Sequence, residues 1–375
     1  MTDSLAWVEQ LPLDFYRSKP SVEVPDHLSL KMAEWFDVGV RTFLSCVLTG
    51  VSIPTGYSRG KIETAVAQEA IRRQPGQVDA VFNQPRTVDS YFVSEAPRPK
   101  GVVGGVFQAI KWHSSYVSYD NYHQHKLNEM VSALLWRHGD KPRPTVVFIH
   151  GFIAADWKVN EFYLSMKYFY DLGCDVVLKT LPHHGHRRRP ESLMSGLEYF
   201  SGGIEALNHA VVQSTYDTRS LIDYLQQQLQ ISDIGLCGLS LGSYTSALIA
   251  GLDNRLKFVM PVLPIVSIPD AMMEWKPLDR AFRLLLGKSN VTLRQLRYTM
   301  AFHSPLSRPV LLPPESLMLV AAMGDKMATP RHAEVLQEHW GGCRVHWFEG
   351  THALPLKKAN ANVAKGEFLN SIGFI

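Results

Sequence analysis

A serine stands at the centre of the pentapeptide GLSLG at positions 238–242. A short apolar run precedes it and a segment rich in small residues, 243–251, follows it, which predicts a strand, a sharp turn and a helix. Such a turn strains the backbone of its central residue and needs small neighbours two positions away, and Gly238 and Gly242 meet that need. The hydroxyl of Ser240 then stands above the sheet, where a base can reach it. The pattern predicts a nucleophilic serine.

A serine needs a histidine to remove its proton and a carboxylate to orient that histidine. Asp325 directly follows the apolar run 317–323, and His352 follows a second strand-like run, 343–348. Both residues therefore come just after predicted strands, where the loops of a parallel sheet converge. Asp270 follows the preceding strand and is the alternative acid, with Asp325 favoured.

The strand-like run 145–149 ends in His150-Gly151-Phe152. A glycine at this point lets the backbone approach a reacting carbonyl closely. We expect the backbone N–H of Phe152 and that of Leu241, the residue after the serine, to form an oxyanion hole.

From Trp112 to the C-terminus the chain resembles serine hydrolases of the α/β-hydrolase fold. The resemblance rests on residues 150–152, the turn at 238–242, Asp325 with its following Pro330, and residues 350–352. It implies a mostly parallel central sheet flanked by helices, with Ser240, Asp325 and His352 as the triad in the chain order of that fold. It also implies that no cofactor and no metal is needed. The motifs are specific for the superfamily and do not select a subfamily.

Composition excludes several classes of protein. The chain has 375 residues, 46% of them hydrophobic and 19% charged, and its formal charge of +3 is too small to indicate a nucleic-acid partner. Four scattered cysteines without zinc-site spacing predict free thiols. The N-terminus lacks the pattern of a secretory signal, and the apolar stretch 43–53 is shorter than the about 20 residues of a membrane span. We expect a cytoplasmic protein with no stable membrane span.

Residues 1–103 are predicted to form a largely helical N-terminal extension, and residues 104–375 the hydrolase core. Helices are expected at 27–49 and 62–73. The extension covers part of the core, forms a homodimer contact, or is a plain packing extension. Apolar residues recur at helical spacing in the first of these helices: Leu28, Met32, Trp35, Phe36, Val40, Phe43, Leu44 and Val47.

An insertion of about 45 residues separates two strands of the core, where a crossover needs only about a dozen. Its many apolar residues predict a helical cap over the serine at 267–312, with helices near 278–286 and 291–301. The alternative is an ordinary crossover helix with a longer loop. A capped apolar pocket suggests a small-molecule ester with a hydrophobic group.

Residues 183–189 hold three histidines and three arginines. Such a cluster could bind a metal or an anionic group of the substrate. A solvated basic loop beside the active-site edge is the favoured interpretation.

Together these features predict a serine hydrolase that cleaves a carboxylic ester through an acyl-enzyme intermediate. An acyltransferase with the same triad and a non-catalytic scaffold on the hydrolase fold are the alternatives.

Overall fold

The computed structural model describes residues 5–72, 80–99, 102–119 and 126–375. These residues include the strands of a nine-stranded sheet. The strand order is β1-β2-β3-β5-β4-β6-β7-β8-β9. The strands are β1 Tyr91–Glu95, β2 Val106–His113, β3 Met130–Arg137, β4 Thr145–Ile149, β5 Asp175–Lys179, β6 Ile234–Leu239, β7 Phe258–Val262, β8 Met318–Ala322 and β9 Arg344–Phe348.

The sheet is parallel from β5 to β9, and β1, β2 and β3 are added to it in antiparallel pairings. Strands β2 and β3 pair antiparallel along their whole length. Strand β1 was not predicted. It is an edge strand, YFVSE, whose side chains are mostly exposed, and its three consecutive apolar residues are fewer than the runs that reveal the central strands.

Helices cover both faces of the sheet, which confirms the predicted mostly parallel sheet flanked by helices. Alternate residues of β4 show the two faces: Val147 and Ile149 belong to one apolar core, whereas Val146 and Phe148 belong to the other. The described α-helices are Trp7–Gln10, Leu28–Gly56, Arg59–Arg72, Trp157–Leu164, Met166–Asp171, Leu197–Ser201, Gly203–Gln227, Leu241–Ile249, Ile268–Glu274, Leu278–Ser289, Leu293–Ala301, Pro330–His339 and Lys358–Ser371.

The helix Leu28–Gly56, here called the N-terminal helix, has 29 residues and runs two turns beyond its predicted end. By length and composition it could cross a membrane, although 28% of its most apolar window is buried in the protein. The apolar stretch of residues 43–53 therefore covers only part of a helix whose length is sufficient to span a membrane.

The buried face of the N-terminal helix is not the one that its apolar residues suggested. Its buried residues include Leu30, Ala33, Asp37, Leu44 and Leu48. Most of the large apolar residues noted in the sequence face outward, and five are more than half exposed: Leu28 71%, Met32 58%, Trp35 74%, Phe36 51% and Phe43 62%.

The insertion between β7 and β8 forms three helices, Ile268–Glu274, Leu278–Ser289 and Leu293–Ala301, where two were expected. A fully buried ion pair joins the first to the third, with 2.7 Å between Arg297 Nη2 and Asp270 Oδ1. Arg297 also donates to the carbonyl oxygens of Leu11 and Pro12. The insertion is thereby bound to the start of the chain.

Candidate active site

Three polar side chains converge just beyond the carboxyl ends of parallel strands. Ser240 follows β6, Asp325 follows β8 and His352 follows β9. Loops at this edge of a parallel sheet lie side by side even when they are distant in sequence. The fold therefore brings together the three residues proposed from the sequence as a triad.

The turn at Ser240 has the strained backbone that its glycines predicted. Ser240 has a φ of 52° and a ψ of −110°. A Cβ on Gly238 would lie 2.1 Å from the carbonyl oxygen of Gly242, and a Cβ on Gly242 would lie 2.2 Å from that of Ile149. Both positions therefore require glycine, because a methyl group would push the turn away from the end of β4.

A chain of hydrogen bonds links the three side chains. Ser240 Oγ lies 2.9 Å from His352 Nε2, and His352 Nδ1 lies 2.7 Å from Asp325 Oδ2. Since an ionised carboxylate only accepts, Nδ1 carries the proton and Nε2 is the acceptor for the serine hydroxyl. The backbone N–H groups of Met327 and Ala328 donate to the other oxygen of Asp325, at 2.7 and 2.8 Å. The geometry is that of a serine activated by a histidine.

A second carboxylate, missed in the sequence, connects the two loops behind this chain. Asp37 of the N-terminal helix is fully buried. Its Oδ1 accepts the N–H of Ala353, beside His352, at 2.8 Å, and its Oδ2 accepts that of Lys326, beside Asp325, also at 2.8 Å. Asp37 thus joins the loop that carries His352, here called the histidine loop, to the loop that carries Asp325, here called the acid loop. It fixes the position of one relative to the other.

The N-terminal helix holds the acid loop at two further points, both on Lys326. Arg41 donates to the Lys326 carbonyl oxygen at 2.7 Å, and Glu34 pairs with the Lys326 ammonium at 2.9 Å. Asp37 is the one charged residue on the buried stripe of this helix, and that is the signal that could have revealed it, because buried charges need specific partners.

The electrostatics of these groups are linked. Burial lowers the pKa of His352, but the charge and hydrogen bond of Asp325, with the charge of Asp37, outweigh it and raise that pKa above its ordinary value. Burial and the neighbouring charge of Asp325 raise the pKa of Asp37 to about 6. At neutral pH Asp37 is therefore mostly ionised, and the protonated form of His352 faces two carboxylates.

The loop after β4 approaches the serine from the other side. A Cβ built on Gly151 would meet the carbonyl oxygen of Leu239 at 3.3 Å, which shows how closely the two turns pass. Phe152 and Leu241, whose N–H groups are the expected oxyanion donors, both line the cavity that contains Ser240. Leu241 is the first residue of its helix, where backbone N–H groups point out of the helix end.

His150 supports this loop from beneath. Its Nε2 accepts the N–H of Leu181 at 3.0 Å, so its Nδ1 carries the proton and donates to the Gly151 carbonyl oxygen at 2.8 Å. Burial, with the neighbouring His184, holds the pKa of His150 well below its ordinary range. A neutral, buried imidazole therefore fixes Gly151.

A cavity of about 280 Å³ opens above Ser240 and His352. The N-terminal helix and the insertion both contribute to its wall. The hydroxyls of its two tyrosines are engaged elsewhere: Tyr163 donates to the Ala353 carbonyl oxygen and Tyr244 bonds to His303. The apolar lining is Val40, Leu44, Leu48, Phe152, Ile153, Ala154, Val159, Phe200, Leu239, Leu241, Ile265, Ile268, Ala271, Met272, Trp275, Leu278, Met327 and Ala353.

Asp270, the alternative acid, is not hydrogen-bonded to His352. It is fully buried and bonded through both oxygens to Arg297, at 2.7 and 2.9 Å. Its role in the described structure is to join helices of the insertion.

The expectation of a solvated basic loop at 183–189 is wrong for three of its six histidines and arginines. His183, His184 and Arg187 are buried, and Arg187 forms an ion pair of 2.9 Å with the buried Asp217. Burial lowers the pKa of His184 to about 4. Among the described residues, no group of three or more histidine, cysteine or acidic side chains could hold a metal ion.

The architecture matches solved esterase structures. An acetyl xylan esterase from Paenibacillus sp. R4 aligns with a TM-score of 0.56 and 13% identity, over 78% of this chain and 92% of that one. Acetyl xylan esterase 1 from Thermoanaerobacterium sp. JW/SL YS485 aligns with a TM-score of 0.54 and 11% identity, over 86% and 97%. This chain has the α/β-hydrolase fold. At such identities the similarity establishes the fold alone.

The chain is also similar in sequence to proteins described as uncharacterized. Two uncharacterized proteins, from two strains of Mycobacterium tuberculosis, are each 28% identical over 236 residues, which is 60% of this chain. The chain spans about half the length, 53%, of these curated relatives. No protein-family profile matches it.

Proposed function

We propose that this protein is a serine hydrolase that cleaves a carboxylic ester with an apolar acyl group. The observation that carries the proposal is the hydrogen-bonded chain from Ser240 through His352 to Asp325 at the foot of an apolar cavity. A serine with a purely structural role would not need a neighbouring histidine whose unprotonated nitrogen can accept its proton.

The mechanism follows from the atoms in place. Ser240 Oγ attacks the ester carbonyl carbon while its proton passes to His352 Nε2. Asp325 stabilises the imidazolium, and the N–H groups of Phe152 and Leu241 stabilise the oxyanion. The imidazolium then gives its proton to the leaving alcohol, which departs and leaves an acyl group on Ser240. Water, deprotonated by His352, attacks the carbonyl carbon of this ester. The imidazolium then returns the proton to Ser240 Oγ as the acid is released.

The lining of the cavity supports an apolar acyl group. Apart from the serine and histidine, the walls offer few polar atoms to a ligand, and both tyrosine hydroxyls have other partners. A ligand whose charged end lay against such walls would lose its hydration without compensation. We therefore place the acyl chain, rather than a charged group, in the cavity.

A fluorophosphonate probe tests the nucleophile directly. The wild-type protein is expected to be labelled at Ser240, because the probe needs a serine whose proton a base can remove. Hydrolysis of p-nitrophenyl esters of increasing acyl length then tests the substrate, and the rate should rise from the acetyl ester to medium-length chains. Folded protein that neither labels nor hydrolyses any ester would contradict the proposal.

We expect Asp37→Asn to lower kcat/KM by about 10- to 100-fold, because misplacing catalytic groups by about 1 Å has effects of that size. Asparagine has one carbonyl oxygen, so it can accept only one of the two backbone N–H groups that Asp37 now accepts. The substitution also removes a negative charge that raises the pKa of His352.

The pH profile separates this role from a purely structural one. The neutral form of His352 is the base, so kcat/KM falls as pH drops through its raised pKa. In Asp37→Asn that acidic limb is expected to move to lower pH. Glu34→Gln, a carboxylate of the same helix that pairs with Lys326, is the matched control and should change the rate by less than about twofold. An unshifted limb in Asp37→Asn would contradict the electrostatic role.

A further inference from the structure

The N-terminal helix presents an unusual outer surface. Its charged residues are Lys31, Glu34, Asp37 and Arg41, and the last three are bonded to the acid or histidine loop. The outer side is therefore uncharged beyond Lys31. The large apolar residues that are more than half exposed, here called the outer ridge, are Leu28, Met32, Trp35, Phe36 and Phe43.

The outer ridge is continuous with the wall of the catalytic cavity. Val40 lines the cavity, and its neighbours on the helix surface, four residues before and three after, are Phe36 and Phe43. Both phenylalanines are more than half exposed, at 51% and 62%. An apolar path thus runs from the outside of the protein to the residues above Ser240.

A second part of the cavity wall is also apolar where it reaches solvent. Ile153 and Val159 line the cavity and remain 41% and 36% exposed. Phe162, one turn beyond Val159, is 47% exposed, and Lys358 Nζ lies 5.5 Å from its ring centre. Lys158 is exposed beside Val159. Cations next to exposed aromatic rings suit the anionic head groups of a lipid surface.

We propose that the outer ridge docks on a lipid surface together with Ile153, Val159 and Phe162, here called the rim of the cavity. A long-chain ester then enters the cavity directly from the lipid. The substrate class rests on the function proposed above, whereas the docking does not. Trp35 and Leu28 on this helix are 74% and 71% exposed. Side chains as exposed as these can enter fluid lipid, which needs no groove of matching shape. A second copy seated over the same residues would cover the mouth of the cavity.

In this arrangement the N-terminal helix lies on the lipid surface and does not cross the bilayer. Asp37 bonds it to both catalytic loops, and Ser45 Oγ accepts the N–H of Leu278 at 2.9 Å. Pulling the helix out to span a bilayer would break these bonds and leave Asp37 without partners in hydrocarbon. The buried stripe therefore keeps the helix against the enzyme, while the outer ridge enters the lipid interface.

Flotation with vesicles of phosphatidylcholine and phosphatidylglycerol tests the docking. The wild-type protein is expected to float with the vesicles. The double variant Trp35→Gln/Phe43→Gln should partition about tenfold or more weakly, because it removes two exposed aromatic anchors. The control is Phe92→Gln, which removes a ring of similar exposure, 56%, on the edge strand β1. It should bind as the wild type does.

The fluorescence of Trp35 gives a second readout. The other seven tryptophans are buried or half-buried, so a blue shift on adding vesicles that is absent from Trp35→Gln reports this residue alone. Hydrolysis of a long-chain ester embedded in the vesicles should fall in the double variant. Hydrolysis of a short soluble ester should not, since neither Trp35 nor Phe43 lines the cavity.

Each result has a defined meaning. Ser240→Ala should bind vesicles like the wild type, so docking can hold even if the catalytic proposal fails. Equal flotation of the wild type and the double variant would overturn the docking site. A wild-type protein that does not float but sediments as a dimer, and becomes monomeric in the double variant, would show that the ridge joins two copies instead.

Discussion

Replacing Ser240 with alanine is expected to lower kcat/KM by about 10⁵- to 10⁶-fold, the range seen when a triad nucleophile is removed. The loss follows from the geometry, because among the described residues it is Ser240 whose hydroxyl lies 2.9 Å from His352 Nε2. The fold should survive, with Tm within about 5 °C of the wild type, since alanine can occupy the same turn. Steady-state kinetics and thermal unfolding measured on the same preparation check both halves.

A matched control lies on the same helix. Ser246 is buried and donates to the Ser243 carbonyl oxygen, away from the triad, at 3.0 Å. Ser246→Ala makes the same chemical change and should retain activity within about tenfold. Substantial turnover by folded Ser240→Ala would disprove the assignment of the nucleophile.

The second large effect is expected from Asp325→Asn, about 10⁴-fold in kcat, as for a triad acid whose loss leaves the histidine in the wrong tautomer. Two backbone N–H groups, of Met327 and Ala328, donate to Oδ1 of Asp325. An asparagine must turn its carbonyl oxygen to them, which leaves its NH₂ group facing His352 Nδ1. His352 then carries its proton on Nε2 and cannot accept the proton of Ser240.

Asp270→Asn distinguishes the two candidate acids. Asp270 pairs with Arg297, so its substitution should lower Tm while the pH profile of the remaining activity stays unchanged. Asp325→Asn should instead leave Tm nearly unchanged and abolish turnover near neutral pH. The reverse pattern would make Asp270 the acid.

The sequence predicted the triad because each member has a local signal. Ser240 lies in a glycine-flanked turn, and Asp325 and His352 directly follow apolar strands. The central strands were predictable for a related reason. They are buried on both faces, so they form continuous apolar runs.

Asp37 and the buried half of residues 183–189 could not be predicted in this way. Their partners are remote: Asp37 bonds to Lys326 and Ala353, and Arg187 to Asp217. A charged residue looks solvated in the sequence until the fold supplies its buried partners. The outward face of the N-terminal helix was misjudged because apolar periodicity finds an apolar stripe but does not say whether protein covers it.

The bond from Asp37 to Ala353 spans 316 positions of the chain, and that from Asp37 to Lys326 spans 289. Contacts so far apart in sequence close late in folding, since the intervening chain must first be ordered. The hydrogen-bonded arrangement of Ser240, His352 and Asp325 is therefore fixed only after segments 289 and 316 positions apart in sequence have met.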